Sequence, residues 1–192
     1  MSVMNLETVQ IGNQVWMAKN LNVSHFHNGD PVPEARTDKE WKEYGKEGEP
    51  AWCYYDIDPV NGEKFGKLYN WYAIKDQKGL APEGQHIPSD EEWTSLIIYL
   101  GGSTLAGEKL KSIRKGAKGI KEIAEIGFNA SPGGYHKSKG GFSYLGFCGF
   151  WWSSTESNPD NAWSRYMYFN NNDVNRGAFN KMSGFSVRCL LD

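Results

Sequence analysis

The chain lacks long apolar runs and any strong excess of one charge. The mean hydropathy is −0.62 and the apolar stretches are only a few residues long, so we expect no membrane-spanning helix. The formal net charge is −2 over 192 residues, with both signs mixed along the chain. Nucleic-acid-binding proteins usually carry a marked basic excess on one face, so we expect no nucleic-acid partner.

Cysteine and histidine are also scarce, which limits redox and metal chemistry. The three cysteines, Cys53, Cys148 and Cys189, share no metal-ligand spacing, and their odd number leaves at least one thiol free in a monomer. His25 and His27 would share one face of an extended segment, but no third ligand accompanies them, so we predict no metal site. We interpret His86 as a buried residue that hydrogen-bonds its loop.

Motifs for hydrolysis and nucleotide binding are absent as well. The hydroxyl run Ser153-Ser154-Thr155 has no Gly-x-Ser-x-Gly elbow, and no histidine is placed as its base. Glu156 and Asp160 flank a turn, where acidic side chains are common. No glycine-rich phosphate loop precedes a helix. An enzyme is therefore the less favoured interpretation.

Aromatic residues and glycines are abundant: aromatics make up 14% of the chain, and glycines number 22. Large rings beside many glycines suit a compact, loop-rich fold in which aromatics fill gaps between irregular segments. A length of 192 residues is that of one domain of ordinary size, so we predict a single domain over residues 1–192.

The clearest helix begins after Ser89, because Ser-Asp-Glu-Glu is a capping box in which Ser89 and Glu92 bond to each other's backbone N–H. An apolar stripe then follows at helical spacing and ends at Gly101-Gly102: Trp93, Leu96, Ile97 and Leu100. Two further helices are predicted, a short one over residues 38–44 and another over residues 68–74.

Strand patterns occupy both ends of the chain. Residues 8–15 alternate apolar and polar side chains around Gly12-Asn13, which predicts a hairpin. From Phe128 onward, short strand-like segments alternate with glycine turns, and residues 162–169 alternate strictly. A last strand is predicted over residues 185–190.

An Asn- and Tyr-rich segment near the C-terminus is the candidate binding surface. Its members are Trp163, Tyr166, Tyr168, Asn170, Asn171, Asn172, Asp173, Asn175, Arg176 and Asn180. Amides supply donors and acceptors on short side chains, and tyrosine adds rigid contact area with a polar tip, which suits recognition of a protein or glycan. A pair of turns explains the same composition, since asparagine tolerates left-handed backbone.

Five blocks stand in a characteristic order: Val9 to Val23, Phe65 to Ala73, Leu80 to Trp93, Phe150 to Glu156 and Gly184 to Cys189. Over about residues 8–192 they resemble the Fibrobacter succinogenes major paralogous domain, a bacterial family related to C-type lectin-like and sulfatase-modifying-factor folds. The resemblance implies an α+β, C-type lectin-like fold, with two helices packed on a meandering antiparallel sheet and irregular loops. It also implies that the strand over residues 9–11 lies beside the one over residues 186–190.

The resemblance implies a function as well: lectin-like domains present ligands on their C-terminal face, so we expect a non-catalytic module that binds a glycan or a protein. The alternatives are a structural or virion assembly subunit, forming a homo-oligomer or larger assembly, and, less favoured, an enzyme related to sulfatase-modifying factors. Cys53 and Cys189 lie in family-like blocks and are the implied disulfide pair in an oxidising compartment; elsewhere all thiols stay reduced.

Calcium binding is less well supported, because lectin-like calcium sites usually carry a Glu-Pro-Asn or Gln-Pro-Asp loop and a Trp-Asn-Asp strand. Here the loop is Asn158-Pro159-Asp160, and Trp163 is followed by Ser164-Arg165. We expect no cofactor, with calcium at Asn172, Asp173 and Asn175 as the alternative.

Residues 1–7 have neither a basic head nor an apolar core, so we expect a cytoplasmic or virion-associated protein unless a leader is removed, although relatives are often extracellular.

Overall fold

The computed structural model describes residues 7–111, 113–115, 121–123 and 126–192, and these form an α+β fold, as predicted. The helices are α1 (Asp38–Glu47), α2 (Pro59–Phe65), α3 (Trp71–Lys75), α4 (Asp90–Tyr99) and α5 (Ser103–Leu110), with a 3-10 turn at Tyr55–Ile57. The strands are β1 (Thr8–Ile11), β2 (Gln14–Met17), β3 (Trp52–Cys53), β4 (Leu68–Tyr69), β5 (Gln85–His86), β6 (Ile113–Lys115), β7 (Lys121–Ile123), β8 (Gly133–His136), β9 (Phe142–Leu145), β10 (Cys148–Asn158), β11 (Asn161–Tyr168), β12 (Asn175–Asn180) and β13 (Leu190–Leu191). Within these ranges no helix is both long and apolar enough to cross a membrane.

Two sheets organise most of these strands. The larger has the order β12-β11-β10-β8-β9, the smaller has the order β1-β2-β13-β5, and β3-β4 and β6-β7 form separate pairs. The larger sheet is mixed, because β9 folds back along one edge of β8 while β10 pairs with the other edge and runs parallel to β8. The prediction of two helices on a meandering antiparallel sheet is thus corrected to five helices among the described residues and a larger sheet that is mixed.

The N-terminal hairpin forms at Gly12-Asn13 as predicted, with Ile11 opposite Gln14. Its second strand, and not its first, pairs with the end of the chain: Leu190 lies opposite Trp16 in β2. The prediction that residues 9–11 lie directly beside the last strand is therefore wrong, because the tight turn folds β2 into the position between them. Residues 185–190 are also not one continuous strand; Phe185 and Ser186 make isolated bridges to β4 and β10.

Helix α4 confirms the capping box. The Ser89 hydroxyl accepts from the backbone N–H of Glu92 at 3.1 Å, and the Glu92 carboxylate accepts from the backbone N–H of Ser89 at 2.7 Å. The predicted apolar stripe is buried, and Trp93 packs against Trp16 of β2 with ring centroids 4.7 Å apart. This contact joins α4 to the smaller sheet.

The helix predicted over residues 68–74 is corrected to a short strand followed by a short helix. Asn70 separates them because its side-chain oxygen accepts from the backbone N–H of Ala73, which makes it the N-cap of α3. Leu68 and Tyr69 instead pair with β3. The short helix predicted over residues 38–44 extends to Glu47 and ends at Gly48, whose backbone is left-handed.

The central strand of the larger sheet, β10, is buried on both faces over residues 148–153. Along β10, Trp151 packs into a cluster with Trp16 and Met167, whereas Phe150 and Trp152 pack into a second cluster. Successive side chains of a strand point to opposite faces, so these two clusters lie on opposite faces of the sheet. The same alternation fixes where each side chain of β11 points.

The three cysteines are free and buried. Cys53 belongs to a cluster with Trp41 and Leu68, whereas Cys189 belongs to a different cluster with Trp152, so the implied disulfide between them is not formed. Burial raises the pKa of Cys53 well above its usual value and raises the pKa of Cys189 to about 12. These thiols act as small apolar residues of the core.

Candidate functional site

The ten residues predicted to bind a ligand lie on β11, β12 and the turn between them, but on both faces of the sheet. The β11–β12 register assigns Trp163, Arg176 and Asn180 to one face and Tyr166, Tyr168 and Asn175 to the other. Residues 170–173 form the turn. The single contiguous surface expected for Tyr166, Tyr168 and Arg176 is not formed. Arg176 lies opposite Arg165 in the register, and Arg165 points to the face away from Tyr166 and Tyr168.

The face with Trp163 is dominated by an ion-pair network that the sequence did not indicate. The Arg176 guanidinium lies 3.3 Å from the centre of the Trp163 ring and donates to the Asp90 carboxylate at 2.9 to 3.1 Å. Buried Arg165 binds the same carboxylate and also donates to the backbone oxygen of Asp90 and to the Thr94 hydroxyl. Arg176 is therefore a structural partner of α4.

The charge state of this network follows from its geometry. Burial alone would raise the pKa of Asp90, but its hydrogen bonds and charge contacts with Arg176 and Arg165 hold that pKa below its usual value. Asp90 is ionised at neutral pH as a result, and it neutralises one of the two guanidinium groups. The network joins the first turn of α4 to β11 and β12.

The turn over residues 170–173 docks on α5 and is partly structural. The Lys111 ammonium donates to the backbone oxygen of Asn171, and the Gly107 N–H donates to that of Asn172 at 3.1 Å. A Cβ at Gly107 would stand 2.5 Å from that oxygen, so only glycine allows this approach. Asn180 likewise serves a turn, since its side chain accepts from the Met182 N–H.

The opposite face carries a continuous set of aromatic rings. Tyr166 stacks on Phe150 at 5.5 Å, Tyr168 meets Tyr166 edge-on at 5.9 Å, and Tyr144 meets Tyr168 edge-on at 6.0 Å. Phe150 is buried and continues into the core through Phe185 at 5.1 Å. The rings therefore lead from the core to the surface: Tyr168 is half-buried and Tyr144 is exposed.

A groove of about 610 Å³ opens at the outer end of these rings. We call it the aromatic groove, and it is lined by Ser143, Tyr144, Gly146, Phe147, Tyr168, Phe169 and Asn170. Phe147 is 72% exposed and Tyr144 is 45% exposed, and such neighbouring exposed rings form an apolar patch of the kind that marks interaction sites. Of the ten predicted residues, Tyr168 and Asn170 line this groove.

The end of β9 and the turn into β10 supply one wall of the groove. Tyr144 has a φ of 68°, a left-handed conformation that is strained for a bulky residue. The turn is closed by a 3.0 Å bond from the Phe147 N–H to the Tyr144 oxygen. It is tied to the end of β11 by a 2.9 Å bond from the Phe169 N–H to the Phe147 oxygen.

Burial and the neighbouring Tyr144 raise the pKa of Tyr168, so its phenol stays protonated at neutral pH.

Sequence reasoning missed Tyr144, Phe147 and Phe169. The local signal was the run Ser143-Tyr144-Leu145-Gly146-Phe147, in which aromatics flank a glycine at a turn, where polar residues are the rule. The sequence analysis used only Gly146 of this run, as a break between strands, and assigned no role to the aromatic residues beside it. Aromatics at an exposed turn indicate a surface that has a use other than folding.

The histidines lie apart from the aromatic groove. His86 is half-buried and contacts two carboxylates, Asp192 at 2.6 Å and Glu92 at 2.9 Å, in place of the predicted bonds to its loop. Burial alone would lower the pKa of His86, but these two acids raise it above its usual value. His25 and His27 are exposed.

Metal ligands do not cluster in the part of the chain that the structure describes: no group of three or more His, Cys, Asp or Glu side chains could hold an ion there. At the oxygen cluster considered for calcium, the Asn172 amide donates to the Glu108 carboxylate at 3.3 Å, and Asn175 belongs to β12. Calcium binding by Asn172, Asp173 and Asn175 stays a prediction.

Comparison with known proteins identifies the family of the chain. The family model described as Fibrobacter succinogenes major domain matches residues 9–190. Neither a curated protein nor a solved structure gives a match to the chain. The match runs from the second residue of β1 to the first residue of β13 and includes every residue of the aromatic groove.

Proposed function

The chain belongs to the Fibrobacter succinogenes major domain family, and we propose that it is a non-catalytic binding module that holds a glycan in the aromatic groove. The observation that carries the proposal is the exposure of Phe147 and Tyr144 beside Tyr168 on a turn with strained backbone. Strain of this kind persists where surrounding structure holds it, and it is concentrated at ligand sites.

The chemistry of the groove suits a sugar. One face of a sugar ring presents C–H groups that pack on an aromatic ring as apolar surface, while its hydroxyls need polar partners. Phe147 and Phe169 supply rings, and Tyr144, Tyr168 and Asn170 add polar groups at the rim. The described residues that line the groove include no Asp, Glu, Lys, Arg or His, which favours a neutral ligand.

The C-type lectin-like fold is part of this proposal. Two features support it: the first hairpin and the last strand share the smaller sheet, and the candidate groove lies among the C-terminal strands. The ligand would then be bound on the face that such domains use.

A protein partner, or another copy in an assembly, is the second candidate. The observation in its favour is Phe147, whose exposed ring has the character of the aromatic anchors that dominate protein interfaces. Cysteine chemistry of the kind that sulfatase-modifying factors use is disfavoured at Cys148, the thiol next to Phe147. This thiol is buried, and burial raises its pKa to about 12, which disfavours the reactive thiolate.

The test is a glycan array followed by calorimetric titration of the best neutral glycan. Phe147→Ala and Tyr168→Ala should each weaken binding by about five-fold or more, as expected for aromatic contacts worth more than about 1 kcal/mol. Ile98→Ala is the matched control, since Ile98 is 70% exposed on α4 and outside the groove, and it should bind normally.

Arg176→Ala should also leave glycan binding unchanged, because Arg176 stands on the opposite face of the sheet. Equal loss of affinity in Arg176→Ala and Phe147→Ala would contradict the groove as the site. Self-association in sedimentation experiments that disappears in Phe147→Ala, with no glycan bound, would favour the assembly subunit instead.

A further inference from the structure

A second cleft, of about 990 Å³, lies next to the aromatic groove, and Gly146 borders both. It runs along α2 and reaches Arg188 in the segment before β13. We call it the cationic cleft; the residues that matter to its chemistry are Lys19, Asn20, Glu63, Lys64, Ser131 and Arg188.

Arg188 is buried at the base of this cleft without a carboxylate partner among the described residues. Its guanidinium donates to the Asn20 side-chain oxygen at 2.7 and 3.2 Å, to the Met17 backbone oxygen at 3.0 Å and to the Phe128 backbone oxygen. All these acceptors are neutral. Buried charges are normally paired, so this guanidinium is an exception.

Burial also changes the acid–base chemistry of Arg188. Burial lowers the pKa of Arg188 to about 9, still above neutral pH, so the group remains charged. The nearby Asn20 oxygen accepts from Arg188 and also from the Trp151 indole N–H at 2.9 Å. A neutral amide thus occupies the position next to the guanidinium where an ion pair would have a carboxylate.

The rest of the cleft adds positive charge. Lys19 and Lys64 lie on its rim, and Glu63 is the one acid among the described lining residues. Lys19 already pairs with Glu7 at 3.2 Å, so Lys64 and Arg188 supply the positive charge that the cleft offers to a ligand. The whole chain has a net charge of −2, so the cleft is positive on a protein that is slightly negative. A concave surface with an excess of one charge sign concentrates counter-ions.

We propose that the cationic cleft binds an oxyanion group, a carboxylate, sulfate or phosphate, with Lys64 and Ser131 in contact and Arg188 supplying charge from below. The ligand would provide the negative charge that Arg188 lacks. This site is separate from the aromatic groove, whose lining is uncharged, and it does not depend on a glycan binding there.

The test is a titration of the full-length ¹⁵N-labelled protein, followed by amide chemical shifts, with sodium sulfate, sodium phosphate and methyl glucuronide at constant ionic strength. Sodium chloride is the reference. We expect saturable shifts at Gly66, Ser131 and Gly146 that chloride does not produce. Saturation by the inorganic ions alone identifies a free oxyanion, whereas tighter binding of the glucuronide identifies an acidic sugar.

Lys64→Gln should weaken the binding by about two- to five-fold, the range expected for one exposed charge contact. Lys46→Gln is the matched control, because Lys46 occupies the last turn of α1 as Lys64 occupies the last turn of α2.

Phe147→Ala should leave oxyanion binding unchanged, which separates this site from the aromatic groove. Arg188→Gln should abolish binding if it folds; if it does not fold, Lys64→Gln still decides. Shifts that do not saturate, that chloride reproduces, or that are equal in Lys64→Gln and the control would overturn the proposal.

Discussion

Asp90→Asn tests the ion-pair network that joins α4 to one face of the larger sheet. The Asp90 carboxylate joins α4 to β11 through Arg165 and to β12 through Arg176. Asparagine keeps the size of the side chain and removes its charge. Arg165, which is 1% exposed, would then keep its bonds to the Asp90 backbone oxygen and the Thr94 hydroxyl, but it would lose its counter-charge.

The expected loss of unfolding free energy is about 3 kcal/mol. Removing one partner of a buried ion pair costs about 3 to 5 kcal/mol, and the remaining hydrogen bonds of Arg165 place this case at the lower end. Arg176 is more exposed, so its ion pair adds only about 0.2 to 1 kcal/mol. Glu91→Gln is the control, because it removes an exposed charge from the same helix turn and should cost less than about 0.5 kcal/mol.

Urea denaturation at several pH values measures the effect. Since the folded-state pKa of Asp90 is lowered, its contribution is complete above the unfolded pKa of about 3.9 and is lost as the pH falls through the folded pKa. The difference in unfolding free energy between the wild type and Asp90→Asn should therefore be constant near neutral pH and become smaller in acid. A loss equal to that of Glu91→Gln, or a gap independent of pH, would refute the role assigned to this carboxylate.

Three further predictions concern local structure. Ser89→Ala should lower the free energy of unfolding by about 1 kcal/mol in the same denaturation assay, because it removes the N-cap of α4; no change would contradict the capping box. A thiol reagent should find no rapidly reacting thiol in the native protein and three thiols after denaturation without reductant, because the three cysteines are buried and free; a single thiol would indicate a disulfide. Tyr144→Gly should be more stable than Tyr144→Ala by about 1 kcal/mol, the reverse of their usual order, because residue 144 has a φ of 68°; the ordinary order would contradict the left-handed turn.

Features with local causes were predictable from the sequence. The capping box of α4 needs only four consecutive residues, and the hairpin at Gly12-Asn13 needs only its turn and flanking strands. The alternation of side-chain direction along β11 was equally predictable, because strand side chains repeat with a period of two. These elements formed where the patterns placed them.

The candidate site depends on contacts between distant segments, and there sequence reasoning went astray. Asp90 and Arg165 are 75 positions apart, and an acid in the first turn of a helix is fully explained by the helix dipole, so nothing marked it as an ion-pair partner. The Asn- and Tyr-rich segment was treated as one surface, although its own alternation already separated Trp163 from Tyr166. The error lay in grouping residues by composition where the strand geometry divides them.

The turn over residues 144–147 explains how one short segment can border two chemically different cavities. On one side the Gly146 N–H donates to the Pro132 oxygen at 2.8 Å, next to the cationic cleft; on the other, the Phe169 N–H donates to the Phe147 oxygen, at the aromatic groove. Backbone bonds on both sides hold the turn to the rigid sheet, which is why Tyr144 can keep a left-handed conformation that an unsupported tyrosine would leave. Side chains on such a turn can vary in chemistry without disturbing the core, because the bonds that position them belong to the backbone. The fold thus separates the residues that maintain it, such as Asp90 and Arg165, from those available to meet a ligand.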